Sequence, residues 1–316
     1  MVGIAWYRGV FRSTDAPSVF TRCRTGPVTS SSDCRRTADG LLTHRSTPPA
    51  CLARLRIPLM CGSDAMDLLP VEIKVNVEGD VAAALAALGG SHGPMTRRRI
   101  WFAEDRDGVE EGHVPLLEDG VIVRFRIGGK SDDLTVKLRP CERKSLVGRF
   151  SAPFEVEPIT YKIEDDWSAN GHVLAASLVR DHKPGTLLGA VQQGADAAAP
   201  IDAVQHQFVH ACAPPARLDG LVALGPILST KVDDVPLGDL EVDLEAWSVA
   251  GLEFLEASIR VKPKDEDDAE EFAARAERKQ RKLRDAVTER GVTLSEDPES
   301  KTRRVLLALA GAGVRS

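Results

Sequence analysis

Six cysteines are too few and too scattered to organise this chain. Cys23, Cys34, Cys51, Cys61, Cys141 and Cys212 form no CxxC pair, and four of them precede residue 62. That spacing excludes a zinc ribbon and offers no disulfide framework, so a reducing, cytoplasmic setting is the simplest expectation. No uninterrupted apolar run approaches the ~18 residues that a membrane-crossing helix needs, and no membrane partner is expected. A broad basic footprint is missing as well. The net charge is -6 at pH 7, and residues 1–59 hold nine Arg and three Asp with neither Lys nor Glu, which leaves the remainder at -12. An acidic body argues against nucleic acid as a partner, so any cation-rich site must be local and enclosed. The IGGK segment at 127–130 lacks the GxxxxGK(S/T) spacing of a phosphate loop and reads as a hairpin turn.

The first Glu is Glu72 and the first Lys is Lys74. Residues 1–65 show neither helical nor strand periodicity and are crowded with Ser, Thr, Arg and Pro. We expect them to be disordered or a mis-annotated N-terminal extension, with Met60 or Met66 as the initiator. The folded domain is expected over 66–316.

From Val71 the texture changes. VEIKVNV alternates strictly, with Val71, Ile73, Val75 and Val77 on one face and Glu72, Lys74 and Asn76 on the other. Asp80 can cap an Ala/Leu helix stopped by Gly89 and Gly90. Further strands are predicted at about 98–104, 119–127, 133–139, 152–158, 171–179, 221–232, 239–247 and 252–260. Helices are predicted around His206 and Phe208, over about 267–290, and over about 301–310. His206 and His210 have metal-compatible spacing but no evident third ligand, and Cys212 suits a buried helical position better than a nucleophile.

Two strands stand out. Arg124 and Arg126 alternate with Val123 and Phe125, and Lys137 and Arg139 alternate with Val136 and Leu138. Each strand therefore has one apolar and one cationic face. About eight strands, mostly in hairpin order with charges facing inward, predict an α+β fold: a closed antiparallel β-barrel with a polar tunnel, flanked by helices. A charged lumen calls for a charged ligand, and converging Arg and Lys suit phosphate.

The order of these segments resembles the CYTH superfamily, the triphosphate tunnel metalloenzymes. VEIKV takes the place of that family's opening ExExK strand. RRIWFAEDRDGVEEGHVPLLEDGVIVRFR resembles its YFDT…L…G-x-x-LR-x-R stretch, and LTVKLR its TxKxR strand. FEVE at 154–157 matches a carboxylate-bearing strand, LEFLEASIR the later ExE strand, and SKTRRVLL the closing S-(K/Y)-x-x-L-L helix. EIKV, VKLRP and the LGPI segment at 224–227 are similar to an actinobacterial branch. The resemblance covers about residues 70 to 310.

It implies binding of an organic triphosphate or inorganic polyphosphate, with Mg2+ or Mn2+ assisting hydrolysis of the terminal phosphate. Phosphate-binding positions are then Arg99, Arg124, Arg126, Lys137, Arg139, Lys231 and Arg260. Metal positions are Glu72, Glu157, Glu245 and Glu256, with Glu155 and Asp243 as further carboxylates and Glu72 and Lys74 as the catalytic pair. Two departures bear on activity. The opening strand carries Glu72, Lys74 and Asn76 in place of Glu, Glu and Lys, and Ser258 follows Glu256 where a second Glu is expected. A non-catalytic polyphosphate- or nucleotide-binding module is therefore one alternative, and a class IV adenylyl cyclase is another.

Overall fold

The computed structural model describes residues 68–313 apart from 92, 170 and 298; the expected N-terminal extension and initiator lie outside the described residues. Ten strands form one sheet: β1 (Val71–Val77), β2 (Met95–Asp105), β3 (Val121–Ile127), β4 (Asp132–Leu138), β5 (Phe154–Val156), β6 (Ile159–Ser168), β7 (Gly171–His182), β8 (Leu221–Leu237), β9 (Leu240–Val249) and β10 (Leu252–Val261). Their order is β1-β10-β9-β8-β2-β3-β4-β7-β6-β5, and β1 also pairs with β6. That last pairing closes a nine-stranded barrel and leaves β5 outside it. It is parallel, joining Glu72 to Asp166 in register, whereas the other pairings are antiparallel. The barrel is thus mixed, with one strand more than the pattern predicted. The strand missing from the sequence reading is β6.

Helices α1 (Val81–Ala87), α2 (Arg106–Glu110), α3 (Pro115–Glu118), α4 (Ala203–Cys212), α5 (Ala269–Glu289) and α6 (Lys301–Gly313) complete the fold. Their ends follow local chemistry. Asp80 accepts from the Ala83 amide at 2.9 Å, Asp268 from Glu271 at 2.8 Å, and Asp202 forms a capping box with Gln205. Among the described helices none is long and apolar enough to cross a membrane.

Three apolar clusters explain why the lumen is polar. The outward residues of β3, β4, β6 and β7, among them Val123, Phe125, Val136 and Tyr161, pack under Phe208 and Val209 of α4. Those of β1, β8, β9 and β10 pack under α1 and α5 through Phe272, Ala276, Leu283 and Val287. Each fully buried Val or Ile contributes roughly 1.5–3 kcal/mol. A one-residue slip of β1 would expose Val71, Ile73, Val75 and Val77 together, so register is fixed from outside. Fixing it aims Glu72, Lys74 and Asn76 inward.

The third cluster is different. Phe102 pairs in register with Arg124, and Trp247 lies two residues beyond Glu245, so both share the inner face. They pack with Val305, Leu306 and Ala310 of α6. Apolar side chains and α6 therefore wall one part of the lumen, and the polar space is a cavity beside them. The LGPI segment serves this packing: Gly225 sits at the β2–β8 irregularity, where a Cβ would come 2.7 Å from Trp101 and 2.8 Å from the Ile100 carbonyl oxygen.

Candidate functional site

The polar cavity has a volume of about 290 Å³. Lys74 of β1, Arg124 of β3, Lys137 of β4, Arg139 just beyond β4 and Lys301 of α6 supply five cations to its wall; Asp166 of β6, Glu245 of β9 and Glu256 of β10 supply three carboxylates. Two positive charges remain in excess.

Asp166 anchors one side. Its side chain is 1% exposed and meets Lys74 at 3.2 Å, Lys137 at 2.9 Å and Arg139 at 2.7 Å. Burial alone would raise its pKa, but the three cations outweigh burial and hold the carboxyl well below the usual carboxylate range. Lys137 answers differently: burial and the neighbouring Lys74 lower it despite Asp166, because one carboxylate is divided among three cations. Lys74 is raised, since Glu72, Glu256 and Asp166 together overcome its burial.

Lys301 anchors the other side. It is 7% exposed, lies 4.0 Å from the Trp247 ring centroid, and approaches Glu245 at 3.6 Å and Glu256 at 3.5 Å. Glu245 also accepts from the Ser229 hydroxyl at 2.8 Å. Burial pushes Glu245 up, while Lys301, this hydroxyl and Arg124 pull it down to about 2.

Arg124 lies among these groups without a fixed partner. No ion pair among the described residues uses its guanidinium, and its buried Nε has no hydrogen-bond partner. The same is true of Lys301 Nζ as a hydrogen-bond donor, its carboxylates standing just out of reach. Burial and the adjacent Arg126 lower Arg124 to about 10, which leaves it charged at neutral pH. A half-buried cation with an unbonded, buried Nε is costly, and a polyanion entering the cavity would satisfy it.

The structure gathers Lys74, Arg124, Lys137, Arg139, Glu245 and Glu256 around the cavity. Glu72 sits behind Lys74 at 2.7 Å, and Arg260 reaches Glu164 at 2.9 Å. Arg126 is held by Asp133 at 2.8 Å and Lys231 by Asp233 and by Asp243 at 2.8 Å; neither reaches the cavity wall.

Three expected positions lie elsewhere. Arg99 is exposed and stacks outside over Trp101 at 5.8 Å, because Ile100 shares its face with Arg126 and places Arg98, paired with Asp133, on the inner side. Glu157 is exposed in the turn after β5, and Glu155 is exposed on β5 itself, the strand outside the barrel. The inward carboxylates come from β6 as Glu164 and Asp166. Strand periodicity in YKIE, at 161–164, was the available signal for them. Lys301 was present only within the closing-helix motif. His206 and His210 are exposed on α4.

The carboxylate oxygens of Glu72, Glu164 and Asp166 lie within 4.8 Å of one another, near enough to hold a metal ion jointly, and hard oxygen donors suit Mg2+ or Mn2+. This is not the predicted set of Glu72, Glu157, Glu245 and Glu256. The trio is also engaged already: Lys74 spans Glu72 and Asp166, and Arg260 holds Glu164. With Lys74 in that place the carboxylates do not fit a divalent ion.

No protein-family model matches the sequence, and no curated protein matches it significantly. Solved structures do resemble it. A candidate adenylyl cyclase from Hippeastrum, described with a dominant triphosphatase activity, has a TM-score of 0.49 at 14% identity over 74% of this chain and 94% of its own. A candidate adenylate cyclase from Bacillus halodurans has 0.45 at 12% identity over 75% and 98%. The PH1819 protein of Pyrococcus horikoshii has 0.36 at 15% identity over 74% and 98%.

Proposed function

We propose that the barrel binds the phosphate chain of an organic triphosphate or inorganic polyphosphate, gripped by Arg124, Lys137, Arg139 and Lys301. The observation that carries this reading is Arg124, half-buried on the wall of a positively charged cavity, with a fully buried Nε that has no hydrogen-bond partner and no ion pair among the described residues. Charges interact more strongly in such a partly desolvated space than in water, so a chain with several anionic oxygens gains most there. Arg124 and Arg139 offer planar forks that match two phosphate oxygens at once. Lys137 and Lys301 act as point charges, one on each side. Entry of the ligand would let Lys137 and Arg139 exchange part of their contact with Asp166 for contact with phosphate. The grip is then a redistribution of existing ion pairs.

Hydrolysis of the terminal phosphate is the second reading. The convergence of Arg124, Lys137, Arg139 and Lys301 favours it, since phosphoryl transfer depends on positioning and on neutralising developing negative charge, which these cations supply. Phosphate release from tripolyphosphate, thiamine triphosphate and ATP, each with Mg2+ or Mn2+, separates the two. Tight binding without release supports a binding module, whereas turnover of one compound supports an enzyme. Absence of binding to all three refutes the proposal.

A further inference from the structure

This inference rests on the phosphate-binding reading and concerns what neutralises the carboxylates beside the ligand. Three carboxylates within 4.8 Å of one another repel unless a cation lies among them. Here that cation is part of the chain. Lys74 Nζ is 2.7 Å from Glu72 and 3.2 Å from Asp166, so it bridges two of the three as a divalent ion would. Arg260 at 2.9 Å and Lys137 at 3.8 Å take the third, Glu164.

The ammonium is not there by rotamer choice. Val71, Ile73, Val75 and Val77 are buried outside, so strand parity aims Lys74 inward, and the parallel β1–β6 pairing sets Glu72 opposite Asp166. A divalent cation held by the same oxygens would have to sit against the half-buried Lys74 ammonium, and like charges at that range repel.

We propose that Lys74 is a built-in replacement for a divalent cation, neutralising the Glu72–Asp166 pair so that the cavity binds phosphate chains without metal. It is a positioning and specificity-determining residue: it keeps the carboxylates from repelling the ligand while contributing its own charge to the wall. Metal independence is then a property of one residue on one strand.

The test uses the full chain, with tripolyphosphate and Mn2+ as probes. Calorimetric titration of tripolyphosphate into the wild-type protein should give affinities within about threefold of each other in EDTA and in excess Mg2+. Mn2+ alone, followed by loss of its free electron-spin-resonance signal, should find no stoichiometric site in the wild type. Lys74→Glu should create such a site and make tripolyphosphate binding at least ~10-fold stronger with metal than without. Lys74→Met keeps the stem, removes the charge and should also gain Mn2+ binding, which guards against a folding defect peculiar to the Glu variant. Wild-type binding that requires Mg2+ or Mn2+ would overturn the inference and leave the phosphate reading intact. So would a wild-type Mn2+ site equal to that of Lys74→Glu, or a failure of both variants to gain one. If the wild type binds no tripolyphosphate at all, the phosphate reading fails, and the Mn2+ comparison still decides whether Lys74 excludes metal.

Discussion

Asp166→Asn removes the charge on which three cations converge. The change is nearly isosteric, so packing is kept and the effect is electrostatic. Asp166 accepts at 2.7, 2.9 and 3.2 Å from Arg139, Lys137 and Lys74 with its side chain 1% exposed. Leaving a buried charge uncompensated costs about 3–5 kcal/mol, and each lost charged hydrogen bond lies at roughly 1.5–3 kcal/mol. The amide oxygen can still accept one bond, and Lys74 keeps Glu72, so the lower part of that range, about 3–4 kcal/mol, applies. For a domain of this size that is a fall in melting temperature of roughly 6–16 °C. The freed cations are the ones assigned to phosphate, so ligand should matter more in the variant. Thermal melts in EDTA with and without tripolyphosphate should show a lower melting temperature for Asp166→Asn and a larger upward shift on adding ligand than in the wild type. An unchanged melting temperature would refute the ion-pair account. A smaller ligand shift than in the wild type would refute the claim that Asp166 and phosphate compete for Lys137 and Arg139.

Two further outcomes follow from the other side of the cavity. Glu245 is held at about 2 against an ordinary 4.5, so its ionised form stabilises the fold by about 3 kcal/mol; that contribution is complete above pH 4.5 and is lost as pH falls toward 2. Denaturant unfolding of Glu245→Gln should accordingly show lower stability at neutral pH and a flatter decline over that window. Lys301→Met keeps the stem over Trp247 but leaves Glu245 facing Glu256 across an in-register pair, at a cost of about 2–4 kcal/mol. Its stability should rise as pH falls from 7 toward 4.5, a window in which the wild-type contribution of Glu245 stays constant, because protonating one carboxyl removes the repulsion; a profile parallel to the wild type would contradict this.

Much of the barrel was legible because its outer face is regular. β1 and β3 alternate without interruption and β4 does so from Asp133 onward in sequence, and the apolar face that fixes their register also settles which side Lys74, Arg124 and Lys137 face. β6 was hidden because the adjacent Asp165 and Asp166 break the apolar–polar alternation; pairing with β7 on one side and β1 on the other makes that acidic step part of a strand. The run Arg97–Arg99 carries no parity of its own, so the pairing of Ile100 with Arg126 had to decide it. Lys301 belongs to a helix whose place over Trp247 depends on long-range packing, and no local periodicity encodes that. Glu157 was assigned by likeness to a strand that the structure leaves outside the barrel.

The central claim is that the half-buried Arg124, with no ion pair among the described residues, grips phosphate. Calorimetric titration of tripolyphosphate into the wild type and into Arg124→Ala, with Arg99→Ala as the outward-facing control, tests it most directly. The account predicts a loss of roughly 1.5–3 kcal/mol, about 10- to 150-fold in affinity, for Arg124→Ala and little change for Arg99→Ala. Equal affinities for wild type and Arg124→Ala would contradict it.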